Sequence, residues 1–266
     1  MELCSIASGS SGNCIYVGTE ATHLLVDAGI SGKRTECGLN SLGLSGRDLD
    51  GILITHEHSD HISGLGVMSR KYHIPIYATA GTIEAIRSNS SLGRIEEELF
   101  VPIEADKTFI LKDIQVSPMR TSHDAVCPVA YRFRHGRQKI AIATDLGTYN
   151  DYTVECLKGM VVLFLEANHD VNMLQVGPYP YSLKQRILGD RGHLSNESSG
   201  QLLGKLLHDK LQAVVLGHLS RENNMPQLAY ETVRVELAMG NSGYRGDEFP
   251  ITVAKRDEVS EKICIA

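Results

Sequence analysis

Short runs of contiguous apolar residues recur along the first part of the chain, and each gives way abruptly to polar sequence. Glu2–Ala7, Cys14–Val17, His23–Val26 and Gly51–Thr55 are four to six residues long, which is strand length and too short for helices. Ala125–Asp145 predicts a hairpin, with Val-Ala-Tyr-Arg-Phe-Arg and Lys-Ile-Ala-Ile-Ala-Thr as arms around His135-Gly-Arg137. Later strands are predicted at Val161–Glu166, Ala213–His218 and Ile251–Ala254. Helices alternate with them. Leu202, Leu203, Leu206 and Leu207 share one helical face, with Ser195 and Asn196 as N-cap candidates. Pro226 suits the first turn of another helix, which Gly240-Asn241 would end. Strands alternating with helices indicate an α/β protein.

The pattern carries a faint internal echo. His23-Leu-Leu-Val-Asp27-Ala-Gly resembles Ile140-Ala-Ile-Ala-Thr-Asp145-Leu-Gly, and Ile52-Leu-Ile-Thr-His56 resembles Val214-Val-Leu-Gly-His218. Residues 1–266 are therefore expected to form one domain of two pseudo-related halves, with the boundary near 120–140. Strand ends are where α/β folds bind ligands, so the echo also marks where a site is expected.

Composition narrows the class. The 266 residues (29.1 kDa) are 42% apolar and 22% charged, ordinary values for a chain with one large core or two joined halves. The N-terminus has no charged and apolar export signal, and no apolar run approaches the roughly 20 residues needed to span a bilayer. A cytoplasmic protein without membrane contact is expected. Cys4, Cys14, Cys37, Cys127, Cys156 and Cys264 form no C-x-x-C pair and are read as free buried thiols. A net charge of −6 argues against coating nucleic acid non-specifically, but leaves a local basic rim open.

The chemistry concentrates in Thr55-His-Glu-His-Ser-Asp-His61, directly after an apolar run. A core rejects that much imidazole and carboxylate unless something pairs with it, and a metal is the obvious partner. His56 and His58 are two apart and project to one side of an extended chain, while Asp60 and His61 fall on the following turn. Two neighbouring ions suit this better than one. Further ligand candidates stand at other strand ends: His123, Asp145 and His218, with Asp145 the natural bridge. His23, His73, His135 and His208 lack such company and read as ordinary residues.

HxHxDH followed by a single His, an Asp and a last His resembles the metallo-β-lactamase superfamily over the whole chain. The resemblance implies a four-layer αβ/βα sandwich with a dinuclear site. It assigns His56, His58 and His123 to one ion and Asp60, His61 and His218 to the other, with Asp145 between them. Asp27 matches a motif that usually orients ligands. Secreted β-lactamases, flavo-di-iron proteins and β-CASP nucleases fit less well: there is no signal peptide, His58 stands where Glu would, and only 47 residues separate Asp145 from His193. Glu166 in Phe164-Leu-Glu-Ala-Asn-His169-Asp and His193 in Gly192-His-Leu-Ser-Asn196 resemble the tRNase Z branch, where such a pair lies beside the metals.

Four longer segments resemble the bacterial YycJ/WalJ (VicX) family: Ser8-Gly-Ser-Ser-Gly-Asn-Cys14, Gly177-Pro-Tyr-Pro-Tyr-Ser-Leu-Lys184-Gln-Arg186, Arg191-Gly-His-Leu-Ser-Asn196 and His218-Leu-Ser-Arg-Glu-Asn-Asn224. This implies a 5′→3′ exonuclease acting on DNA, and possibly RNA, linked to DNA repair. Two divalent ions (Zn, Mn or Fe) would share a hydroxide that attacks the phosphodiester, with Asp60, His193 and Glu166 as catalytic residues. Ser8, Ser10, Ser11 and Asn13 could cradle a terminal phosphate, and Lys184, Arg186 and Arg191 could track the strand. The competing readings are another hydrolase of this fold, acting on RNA, a small phosphodiester or a thioester, and a non-catalytic metal-binding regulator of cell-wall signalling.

Overall fold

A strand covered on both faces meets water on neither and must be apolar throughout, which is how parallel strands read in α/β proteins. The computed structural model of the chain describes residues 1–240, 243 and 250–265. It divides into two compact units: Met1–Arg120 with Ala125–Gly136 and Lys255–Ala266, and Thr121–Asp124 with Arg137–Ala254.

In chain order the first unit contributes β1 (Glu2–Ala7), β2 (Cys14–Gly18), β3 (His23–Val26), α1 (Gly32–Ser41), β4 (Gly51–Leu53), α2 (Ser59–Ile62), α3 (Leu65–Tyr72), β5 (Ile76–Thr79), α4 (Ala80–Ser88), β6 (Phe100–Ile103), β7 (Phe109–Leu111), β8 (Ile114–Arg120) and β9 (Val129–His135). The second contributes β10 (Gln138–Ala143), α5 (Asp151–Leu157), β11 (Val162–Glu166), α6 (Val171–Val176), α7 (Tyr181–Leu188), α8 (Asn196–Leu206), β12 (Ala213–Gly217), α9 (Pro226–Met239) and β13 (Ile251–Val253). The chain then returns to the first unit as β14 (Ile263–Cys264).

The first unit's sheet runs β14-β1-β2-β3-β4-β5-β6, antiparallel as far as β3 and parallel beyond it. Strands β7, β8 and β9 are not part of that sheet and form an antiparallel meander in which Val116 faces Phe133. Ile6, Tyr16, Leu25, Ile52, Met68 and Ile83 lie in this unit's core. In the second unit β10, β11, β12 and β13 are parallel in that order, and β11 is buried along its whole length. Helix α8 buries Leu202, Leu203 and Leu206, while α9 buries Ala229, Val233 and Leu237.

The α/β class expected from the sequence is what the elements show. Ser195 caps α8, its Oγ accepting the N–H of Ser198 at 3.2 Å, and Leu207 falls one residue past the helix end. Pro226 opens α9, and Gly240 ends it at φ −74 rather than in a left-handed turn; Asn241 lies outside the described residues. Strand β4 stops two residues before the predicted Thr55 because the Asp27 carboxylate, not a neighbouring strand, takes the Thr55 N–H at 2.8 Å. The thiols need a correction. Only Cys4 and Cys14 are fully buried, whereas Cys37, Cys127 and Cys264 are exposed and Cys156 is half-buried. Three of the polar residues just past strand ends have left-handed backbones: Asp27 at φ 62, Asp145 at 59 and His218 at 56. The echo between Asp27 and Asp145 thus extends to conformation, while His56 does not share the turn of His218. Among the described residues no helix is long and apolar enough to cross a membrane.

Candidate active site

In the first unit the histidine cluster is built outward from Asp27. Its left-handed turn after β3 aims a buried carboxylate at the end of β4. Asp27 Oδ1 accepts the N–H and hydroxyl of Thr55 at 2.8 and 3.1 Å, and Oδ2 lies 2.7 Å from His61 Nδ1. Burial pushes this carboxyl above its ordinary value, and His61 and Thr55 act against that. The hydroxyl of Thr55 also lies 3.0 Å from His56 Nδ1. The His56 ring centroid is 4.5 Å from that of His58 and 4.1 Å from that of His61, and Asp60 Oδ2 is 3.4 Å from His61 Nε2. Four of the predicted ligands therefore meet within one turn.

The Gly/Ser-rich loop before β2 packs against that turn. The N–H of Asn13 donates to Asp60 O at 2.8 Å, and its side-chain Nδ2 is 3.2 Å from His61 Nε2 and 3.5 Å from Asp60 Oδ2. Ser8 and Asn13 are buried, while Ser10 and Ser11 are exposed. The four residues expected to form one cradle are thus split between two environments.

The second unit gathers His123, Asp145, Glu166, His193 and His218. Asp145 Oδ1 is 3.6 Å from the Nε2 of both His123 and His218. Glu166, fully buried at the end of β11, takes His193 Nδ1 at 2.8 Å and His218 Nδ1 at 2.9 Å on one oxygen. Its other oxygen accepts the N–H groups of Leu146 and Leu194 at 2.8 and 3.2 Å. Burial alone would raise this carboxyl, but the two imidazoles outweigh it and hold the group below the usual carboxylate range. Burial lowers His123 despite the neighbouring Asp145, which favours the neutral ring a metal needs. Its Nδ1 lies 3.0 Å from Gly192 O.

Each of the predicted basic residues also bonds within the chain. Lys184 Nζ donates to Gln175 O at 2.7 Å, Arg186 Nε bonds Asp124 Oδ2, and Arg191 donates to His123 O. Sequence reasoning missed a polar layer around His218. Asn168 Nδ2 donates to His218 O at 2.9 Å, and Asn224 Nδ2 reaches the carbonyls of Ala167 and Asn168. His169 is 1% exposed, its Nε2 finds no hydrogen-bond partner among the described residues, and burial drops its pKa to about 4. The signal was available, since several polar residues directly follow two apolar strands.

These residues fit a metal. His61, His123 and His218 each turn Nδ1 to an oxygen acceptor, which places the lone pair on Nε2. Within the second unit Asp145, Glu166, His193 and His218 offer ligand atoms all within 4.8 Å of one another. Imidazole with carboxylate is the donor set of a divalent metal site.

Comparison with known proteins agrees. The family profile of the beta-lactamase superfamily domain matches residues 22–218. The chain is 42% identical to the exodeoxyribonuclease WalJ of Streptococcus pneumoniae over 238 residues, covering 90% of this chain and 88% of that one. It is also 42% identical to the exodeoxyribonuclease YycJ of Bacillus anthracis over 246 residues, covering 92% of each. Among solved structures, the metallo-beta-lactamase fold protein YhfI from Bacillus subtilis superposes with a TM-score of 0.70 at 16% identity, covering 97% of this chain and 98% of that one.

Proposed function

Since the chain belongs to the beta-lactamase superfamily, and within it to the YycJ/WalJ family, we propose that it is a metal-dependent exonuclease that degrades DNA from the 5′ end. The observation that carries this is the placement of His193. Its Nδ1 is held by a buried carboxylate that also holds His218, so a proton donor is fixed beside a metal-ligand imidazole.

The proposed ligands are His56, His58, Asp60 and His61 in the first unit and His123, Asp145 and His218 in the second, for two ions of zinc, manganese or iron. When bound, such ions polarise a phosphoryl oxygen and bring the pKa of water toward neutrality. The remaining work falls to the chain. Glu166 accepts the Nδ1–H of His193 and fixes the ring, so that Nε2 is the atom presented to the departing oxygen of the DNA. A nucleotide alkoxide is a poor leaving group, and a positioned acid contributes about 10²–10⁴-fold to its departure. Asp60 stands with His193 and Glu166 as a proposed catalytic residue, and Asp27 fixes His61. Ser10 and Ser11 at the exposed loop tip, with Ser8 and Asn13 behind them, are the proposed contacts for a terminal phosphate, and Lys184 and Arg186 for the strand behind it. The setting we propose is DNA repair in the cytoplasm.

Digestion of end-labelled DNA and RNA by protein that has been stripped by chelator and then reloaded tests this reading. Release of nucleotides from the 5′ end of DNA, restored by metal, is the expected result. DNA left intact by metal-loaded protein would overturn it.

A further inference from the structure

Arg191 stands in a run of basic residues that charge alone assigns to substrate phosphates. Its side chain is committed to something else. Both Nε and Nη2 donate to the carbonyl oxygen of His123, at 3.1 and 3.0 Å. The guanidinium fork thus closes on the backbone of a proposed metal ligand.

The same two segments are tied at every residue from Ser122 to Asp124. Ser122 Oγ donates to Asp190 O at 2.6 Å, His123 Nδ1 lies 3.0 Å from Gly192 O, and Arg186 Nε bonds the Asp124 carboxylate. His123 is therefore gripped at its carbonyl by residue 191 and at its ring by residue 192. The next residue along is His193, the proposed acid.

Packing leaves this clamp no slack. Gly147 donates its N–H to Ser122 O at 2.7 Å, and a Cβ at Gly147 would lie 2.3 Å from Asp190 O and 2.5 Å from Gly192 N. A Cβ at Gly192 would lie 2.1 Å from Ile187 O. Backbone-to-backbone approaches of this kind cannot be relieved by a side-chain rotation. At Gly147 the segments carrying His123, Asp145 and His193 meet main chain to main chain, and Arg191 links the first of them to the third.

We infer that Arg191 is a positioning residue, which sets the His123 imidazole for its metal and holds the His193 segment in register with it. The consequence for turnover rests on the exonuclease reading; the consequence for metal binding does not. A ligand ring is aimed by its backbone and by its outer partner, and removing such outer contacts typically weakens metal binding or activity about 10–100-fold. A phosphate contact would behave differently. Its loss would weaken DNA binding and reduce the salt dependence by roughly 0.7–0.9 per contact on a log–log slope.

The two roles separate in Arg191→Ala and Arg191→Lys, compared with the unsubstituted full chain. Zn²⁺ affinity is measured by titrating the stripped protein against a chromophoric chelator, with thermal unfolding of the stripped protein as the check on folding. kcat, KM and the salt slope are measured on 5′-labelled DNA. Arg191→Ala is expected to bind Zn²⁺ about 10–100-fold more weakly and to lose kcat, with KM and salt slope unchanged. Arg191→Lys, which can still reach the carbonyl with one N–H, is expected to recover part of the Zn²⁺ affinity. Unaltered Zn²⁺ affinity with a raised KM and a shallower salt slope would overturn the inference. If Arg191→Ala does not fold, the same comparison in Arg191→Lys decides. Should the unsubstituted, Zn²⁺-loaded protein leave DNA intact, the exonuclease reading fails while the Zn²⁺ titration still judges Arg191.

Discussion

Glu166 Oε1 lies 2.8 Å from Nδ1 of His193, and the same oxygen lies 2.9 Å from Nδ1 of His218. One carboxylate therefore orients both a proposed acid and a proposed ligand. In Glu166→Gln the amide would have to turn an NH₂ toward groups that are themselves donors. Removing one member of a buried charged network costs about 3–5 kcal/mol. Urea unfolding should show a loss of that order, and metal affinity should fall together with turnover.

His193→Ala should divide those effects. The imidazole is proposed to act on the leaving oxygen and not as a ligand. Elemental analysis should find metal content unchanged, while single-turnover cleavage of DNA falls about 10²–10⁴-fold. Loss of metal in this variant would move His193 from acid to ligand.

Asp27→Asn keeps size but loses charge. The His61 ring loses its carboxylate partner, and the Thr55 N–H and hydroxyl keep only a neutral acceptor. Metal affinity should drop about 10-fold or more with only modest loss of stability. Asp27→Ala, which leaves the Thr55 N–H buried without its acceptor, should also destabilise by about 1–3 kcal/mol. Chemical denaturation of the stripped proteins separates the two variants.

Acidity should act through His169 before it acts through the buried carboxylates. Burial lowers its pKa from 6.5 to about 4, so folding favours the neutral ring. The stability this contributes is fully present above pH 6.5 and is lost as pH falls toward 4. His169→Phe should flatten that part of a Tm-against-pH curve for the stripped protein. Glu166, held below the ordinary carboxylate value of 4.5, keeps its contribution above that pH and loses it only in stronger acid. An unchanged slope between pH 6.5 and 4 in His169→Phe would show that another group governs it.

Much of the architecture could be read in advance because strands buried on both faces leave little choice of residue. β1 and β3 fall on the predicted spans, and β11 and β12 fall one residue short of theirs. Strands β6 and β8 escaped notice because each contains a proline, Pro102 and Pro118, which argues against a strand, and because each is only partly buried. The histidines and Asp145 were visible since charged groups after an apolar run need a reason. The inward turn of Asn13 and the engagement of Arg191 were not. Both depend on carbonyl oxygens, of Asp60 and His123, that only the folded chain brings near, and a carbonyl leaves no mark on residue identity.

The left-handed backbones at Asp27, Asp145 and His218 restrict what evolution can try there. A β-branched side chain is heavily disfavoured in that conformation, whereas Asn, Asp and Gly tolerate it. In a saturation library selected only for folding, Val and Ile should vanish from these three positions while Asn and Gly persist. The tolerated alphabet would then be short there even in a population that never met a metal or a nucleic acid.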